Sequence, residues 1–487
     1  MENNVLVWFR NDLRLHDNEA LHNAINTKKP VLAIYVFDEN QYKNTHLGFP
    51  KTGSFRAQFI IESIQNLKES LRNIGIELLV YKGNSFEIIT NVCNEFNITE
   101  INYQQENTQE EIQVEKNLLN SLHSSIQLKS IWGKTLFQLN DIPFSIDQLP
   151  ELFTNFRKKV EVQSEVKRLF YNKLITNKLI FENKTQIPTV SELGLPPETI
   201  SPKAAIQFKG GETEALNRLN HYFFETKSLA SYKITRNEML GADYSCKFSA
   251  WLALGCISPR YIYHQIKLFE SKIEANDSTY WLFFELLWRD YFQFIAVKHG
   301  NKLFKLTGLN DLKIPWNNYE PDFEKWKLGQ TGFPLIDANM QELLQTGFMS
   351  NRGRQNVASF LTKNLGIKWL WGAKWFESLL IDYEAASNYG NWAYQAGVGN
   401  DARQFRYFNI EKQSLDYDPK GNYVRHWLEG LRKLPNSKAL FPYKLSKEES
   451  LQNNFNIKVQ YFEPIVNLVK SAEEQKKKYE KVLKSIL

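Results

Sequence analysis

Cysteine is nearly missing: Cys93, Cys246 and Cys256 are the three in 487 residues. Their spacings fit neither a disulfide framework nor a four-thiolate iron–sulfur or zinc site, so a reducing compartment, the cytoplasm, is expected. Long apolar runs are missing too. Charge interrupts every hydrophobic stretch within about ten residues, against the roughly 20 a bilayer helix needs. The N-terminus runs almost directly into the strand-like VLVWF, so neither a signal peptide nor a membrane span is expected. No G-x-G-x-x-G motif occurs, which removes support from a dark flavin oxidoreductase. With 43% hydrophobic and 23% charged residues, the composition is that of a folded chain of two or three domains.

Aromatic residues, by contrast, are abundant. They make up 14% of the chain, and ten of the twelve tryptophans lie between Trp251 and Trp427. Charge is divided as well: residues 1–150 carry 13 Lys and Arg against 18 Asp and Glu, whereas the remainder carries 47 against 36. The basic, tryptophan-rich part is therefore the candidate for a polyanionic partner.

Periodicity follows the same division. VLVWF (5–9), VLAIYVF (31–37), IELLVY (76–81), ITEINY (98–103) and IQLKSIW (126–132) alternate with helical stretches, which predicts a five-stranded parallel α/β sheet of Rossmann type over 1–133. Proline and glycine cluster around Leu193–Pro202, so 134–210 reads as an interdomain connection. From 211 to 443 the spacing of Trp281, Phe284, Glu285, Trp288 and Phe292 typifies an all-helical domain. Residues 444–487 form a Lys/Glu-rich tail, read as a solvated helix.

Several clusters carry possible chemistry. WFRNDLRLHDNEAL (8–21) reads as a strand end followed by a capped helix with local ion pairs. Ser245, Cys246, Lys247, Phe248 and Ser249 lie where a loop enters a helix; they read either as a capped helix with a solvated lysine or as hydroxyls and free N–H groups suited to a pyrophosphate. Glu285 and Arg289 stand one turn apart beside Trp288, as a surface ion pair or as a functional carboxylate among aromatic rings. Arg354 and Asp382 suit a buried pair only if further hydrogen bonds satisfy both. Glu106, in NYQQENTQEE, reads as part of a solvated charge cluster or as a binding residue.

Four blocks decide between these readings: TRNEMLGADYSCKFSAWLALGCISPR (235–260), STYWLFFELLWRDYF (278–292), TGFPLIDANMQELLQTGFMSNRGRQNVASFLTKNLGIKW (331–369) and LLIDYEAASNYGNWAYQAGVGNDARQFRYFN (379–409). In order and spacing they resemble the flavin-binding core of the photolyase/cryptochrome family, with wording closest to the DASH-type cryptochromes and similarity reaching to about Pro442. The resemblance implies FAD as cofactor, with Ser245–Ser249 as the phosphate loop and Tyr232, Arg289 and Glu384 as further flavin contacts. It also implies that Arg354 and Asp382 pair beside the isoalloxazine, that Asn388 sits by flavin N5, and that Asn351 touches both flavin and substrate. Glu285 is then the acid that stabilises a pyrimidine dimer, and Trp288 the ring that stacks on it. Trp392, Trp369 and Trp316, otherwise ordinary core residues, match the family's electron-hopping chain. Glu106 falls where a folate antenna, 5,10-methenyltetrahydrofolate, is bound, and Arg403 and Arg406 are candidates for DNA phosphates.

Branch assignment also rests on residues. None of the eight histidines lies between Gly300 and Asp401, which disfavours a (6-4) photolyase, and three cysteines cannot ligate the iron–sulfur cluster of another branch. Tyr394 and Gln355 stand where ordinary dimer photolyases carry a tryptophan and a methionine. A smaller, more polar pocket stacks a flipped dimer less strongly, so the few kcal/mol needed to extract the dimer from duplex are harder to recover. Repair of pyrimidine dimers with preference for single-stranded DNA, by a monomer, is therefore expected. The alternative is a light-sensing regulator that binds nucleic acid without repair. Three departures stand out: Glu384 where the family has Asp, Ala250 where the DASH motif has Pro, and LEG at 428–430 in place of PEL. The extra methylene of Glu384 should shift any side-chain contact it makes.

Overall fold

The computed structural model describes residues 3–175, 177–401, 403 and 405–485. Five strands, β1 (Asn4–Trp8), β2 (Val31–Asp38), β3 (Leu78–Gly83), β4 (Ile98–Gln104) and β5 (Gln127–Ile131), form one parallel sheet in the order β3-β2-β1-β4-β5. Four helices connect them: α1 (Glu19–Asn26), α2 (Ser54–Asn73), α3 (Ser85–Glu95) and α4 (Gln109–Ser121). β1 is buried along its whole length, as expected for a central strand covered on both faces. Val5 and Val7 point into the core shared with α1 and α2, while Leu6 and Trp8 point into a second core with Ile89, Val92 and Leu118 from α3 and α4.

The first of these cores continues into the helical half without a break. Polar contacts reinforce the junction. Gly53 N–H donates to Ser378 O at 2.7 Å, Arg14 Nη1 donates to Gly255 O at 2.8 Å, and the fully buried Asp17 pairs with Arg260 at 2.9 Å. Removing one member of such a buried pair costs about 3–5 kcal/mol because the other charge is left unpaired.

The segment read as a connection carries a helix of its own, α5 (Phe153–Gln163), whose Phe153, Phe156 and Val160 are buried. The long helix α6 (Asp277–His299) opens on a capping box in which Asn276 accepts from the N–H groups of Ser278 and Thr279. Behind it follow α7 (Pro334–Thr346), α8 (Asn351–Ser359), α9 (Trp369–Leu379) and α10 (Ala385–Ala396). Gly347 and Gly397 end α7 and α10 at φ of 69° and 75°, where a side chain would be strained. The C-terminal helix α11 (Leu468–Lys484) departs from the solvated reading. Ser471, Ala472, Gln475 and Tyr479 are buried, so lysine and glutamate occupy only its outer face.

Candidate flavin and nucleic-acid site

A cavity of about 410 Å³ lies between α6, α8, α10 and the loop before Ser249. A side chamber of about 110 Å³ continues from it toward Asn388 and Trp392. At one end stands the loop with Ser245, Cys246, Lys247, Phe248 and Ser249, and Tyr232 beside it. Arg218 holds this loop from behind: it donates to the carbonyls of Ala242, Ser245 and Cys246 at 3.0–3.1 Å and pairs with Asp243 at 2.6 Å. Lys247 adopts φ 56° and is buried, with Nζ 3.3 Å from the centre of the Tyr244 ring. Burial pushes its ammonium down to about 7, and the nearby Glu342 only partly opposes the shift. A desolvated cation with no carboxylate within ion-pair distance among the described residues suits an anionic ligand group.

The middle of the cavity is set by Arg354 and Asp382. Arg354 Nη2 donates to Asp382 Oδ2 at 2.8 Å, whereas the buried Asp382 Oδ1 has no hydrogen-bond partner among the described residues. An acceptor of this kind fits a ligand ring N–H, and together with Lys247 it suits a flavin nucleotide. Asn388 donates its amide to Ala373 O at 3.0 Å and borders the side chamber with Asp382 and Trp392.

Trp288, Tyr394, Gln355, Asn351 and Glu285 border the cavity together, with Arg406 at its edge. Trp288 and Tyr394 meet edge to face at 6.1 Å, and Gln355 accepts from Arg352 at 2.9 Å. The surface ion pair of Glu285 with Arg289, the alternative reading of their spacing, does not form. Glu285 pairs with Arg236, while Arg289 reaches the other way to Glu384 at 2.5 Å and to Lys134 O at 2.5 Å. Helical spacing brought both onto one face, but partners from other segments took each. Desolvation among the aromatic rings pushes the Glu285 carboxyl above its ordinary range, and Arg236 only partly offsets this.

A second cavity of about 590 Å³ opens between the strand ends and α10. Glu106 lines it and is 3% exposed, which removes the solvated-cluster reading. Burial alone would raise its carboxyl; Lys134, its ion-pair partner, and Arg10 reverse this, so it lies below the usual carboxylate range. Asn11 adds a donor at 3.2 Å.

The chain is similar to known proteins along most of its length. Residues 5–171 match the DNA photolyase family model, and 281–481 match the FAD binding domain of DNA photolyase. Cryptochrome DASH of Gloeobacter violaceus is 53% identical over 96% of this chain and 94% of its own, and that of Synechocystis is 50% identical over 97% of each. The crystal structure of the Synechocystis cryptochrome superposes with a TM-score of 0.93 over 98% of this chain and 99% of that one. A bacterial class III photolyase from Agrobacterium tumefaciens, 28% identical, gives 0.87 over 99% and 98%. The chain belongs to the photolyase/cryptochrome family. Its relatives in that family include the DASH cryptochromes, and the matched FAD domain runs well into the tail, past the Pro442 limit read from the sequence.

The three marked tryptophans lie on segments that pack side by side. Trp392 on α10 and Trp369 on α9 are buried, and Trp316 is half-buried. Asn317, next to Trp316, donates to Gly366 O at 2.7 Å and accepts from Lys368 N at 3.2 Å, which ties Trp316 beside Trp369. Gly372, one turn beyond Trp369, leaves room for Trp392: a Cβ there would come 2.2 Å from its ring. Arg403 lies exposed against Asp401 and does not border the cavity.

Sequence reading missed Arg236, Lys134, Ser387 and Phe153. Arg236 lies inside a matched block, so its position was signalled but not its partner. Ser387 donates to Glu384 at 2.7 Å. The extra methylene of Glu384 is used in bridging Ser387 and Arg289.

Proposed function

We propose that this protein is a blue-light-driven, FAD-dependent lyase that splits cyclobutane pyrimidine dimers, with preference for single-stranded DNA. One observation carries the reading: a single cavity joins a nucleotide-holding end, with Lys247, Arg354 and Asp382, to an aromatic and acidic end, with Trp288, Tyr394 and Glu285. Ser245–Ser249 would hold the pyrophosphate, and Arg354 and Asp382 the edge of the flavin ring. Bound and reduced, FAD supplies one electron on excitation.

The chain's own groups do the rest. Glu285, its carboxyl raised by desolvation among the aromatic rings, would face a lesion carbonyl, and Arg236 fixes its orientation. Trp288 and Tyr394 form an aromatic wall for an extruded dimer, while Asn351 and Gln355 supply amide contacts. Arg406, with Arg403 outside, would contact phosphates, so affinity should fall with added salt. Glu106 and Lys134 would hold a folate antenna in the second cavity, and the protein would act as a monomer in the cytoplasm.

The test is repair under blue light of one thymine dimer in an oligonucleotide, single-stranded and duplex in parallel, with photoreduced protein. Repair of the single strand well above the duplex supports the reading. No repair of either, with flavin bound and photoreducible, replaces it with that of a photoreceptor.

A further inference from the structure

Trp288 stacks face to face on Phe153, with ring centroids 3.7 Å apart and planes 14° from parallel. Phe153 opens α5, in the segment read from sequence as a connection, and is 6% exposed. Other aromatic rings surround it. Phe284 meets its edge at 5.2 Å and 89°, Tyr291 at 5.6 Å and 70°, and Phe156 lies at 6.4 Å. The chain just ahead of it is anchored too: the Glu151 carboxylate receives Lys298 at 2.6 Å, His299 at 3.0 Å and Asn400 at 2.8 Å. Trp288 borders the cavity and Phe153 does not, so one indole face is occupied from behind.

We propose that Phe153 is a positioning residue for lesion recognition. It backs Trp288 and fixes the indole plane at the cavity wall, so that an extruded pyrimidine dimer meets a preset aromatic surface. Without that backing the indole would have to be immobilised on binding, a cost that falls on the stacked lesion and not on backbone contacts. The inference rests on the lyase reading of the same cavity.

The experiment uses full-length, FAD-loaded protein in the dark and measures binding of a single-stranded oligonucleotide with one thymine dimer against the same oligonucleotide undamaged. Phe153→Leu keeps apolar bulk and removes the flat face. It should weaken dimer binding about three- to tenfold, the size of one aromatic stack, and leave undamaged binding and flavin photoreduction unchanged. In a Trp288→Ala background it should cost nothing further. Equal weakening of both oligonucleotides, no change in either, or additive losses with Trp288→Ala would overturn the proposal. Should Phe153→Leu lose flavin, Phe153→Met is read in its place against the same outcomes. A wild-type protein that does not distinguish the two oligonucleotides would overturn the lyase reading together with this one; a discriminating wild type with an unaltered variant would overturn only the role of Phe153.

Discussion

Arg289 Nη2 lies 2.5 Å from Glu384 Oε1, and this ion pair stands in the wall between the two cavities. Both side chains are about nine-tenths buried, at 13% and 10% exposure. Arg289→Leu should therefore lower stability by about 3–5 kcal/mol, because it strands the Glu384 carboxylate. Chemical denaturation checks this, and Arg289→Leu/Glu384→Leu should recover most of the loss.

Lys247 should make flavin affinity depend on pH. Its ammonium in the free protein is pushed down to about 7 by burial, and a bound pyrophosphate would raise it again. Below pH 7 the charge is already present and affinity is full. Above pH 7 a proton must be taken up on binding, so the Kd for FAD should rise with pH by as much as tenfold per unit. Titrating apoprotein with FAD between pH 6 and 9 tests this; Lys247→Ala should bind more weakly at pH 6 and show a flat profile.

Glu285 is expected to contact the lesion through its polar head group, whose shape glutamine keeps and alanine does not. Repair yield should fall in the order wild type, Glu285→Gln, Glu285→Ala, with flavin still bound in each. Loss of FAD from Glu285→Ala, seen in its absorption spectrum, would contradict this role and make Glu285 a flavin-holding residue.

The Glu106 carboxylate holds Lys134 inside the second cavity. Glu106→Gln should lower the folate content of reconstituted protein while the FAD content stays at the wild-type level. Equal folate in both proteins would place the antenna contact elsewhere.

Gly372 faces the Trp392 ring so closely that Gly372→Ala must displace it. Such overpacking costs about 1–3 kcal/mol. The melting temperature should fall accordingly, and blue-light reduction of the flavin should slow because Trp392 has moved; an unchanged reduction rate would remove Trp392 from that path.

Much of the fold is legible in the sequence alone. Strand alternation in VLVWF and its four companions is a local property, set by which neighbours face which side, and the strands appear within about two residues of their expected positions. The matched blocks likewise marked most cavity residues, because residues one helical turn apart share a face and those blocks contain the helices that wall the cavity.

Short-range pattern thus carried the parallel sheet, the helical half and the residues gathered at the first cavity. Only the tertiary structure decided who pairs with whom. Glu285 was free to bond Arg289 one turn away and instead bonds Arg236, 49 positions back; Arg289 finds Glu384, 95 positions on; and Phe153 reaches Trp288 from a segment read as a connection. Those partners depend on the angles at which helices cross and on where the loops between them return, and neither leaves a periodic trace in the chain.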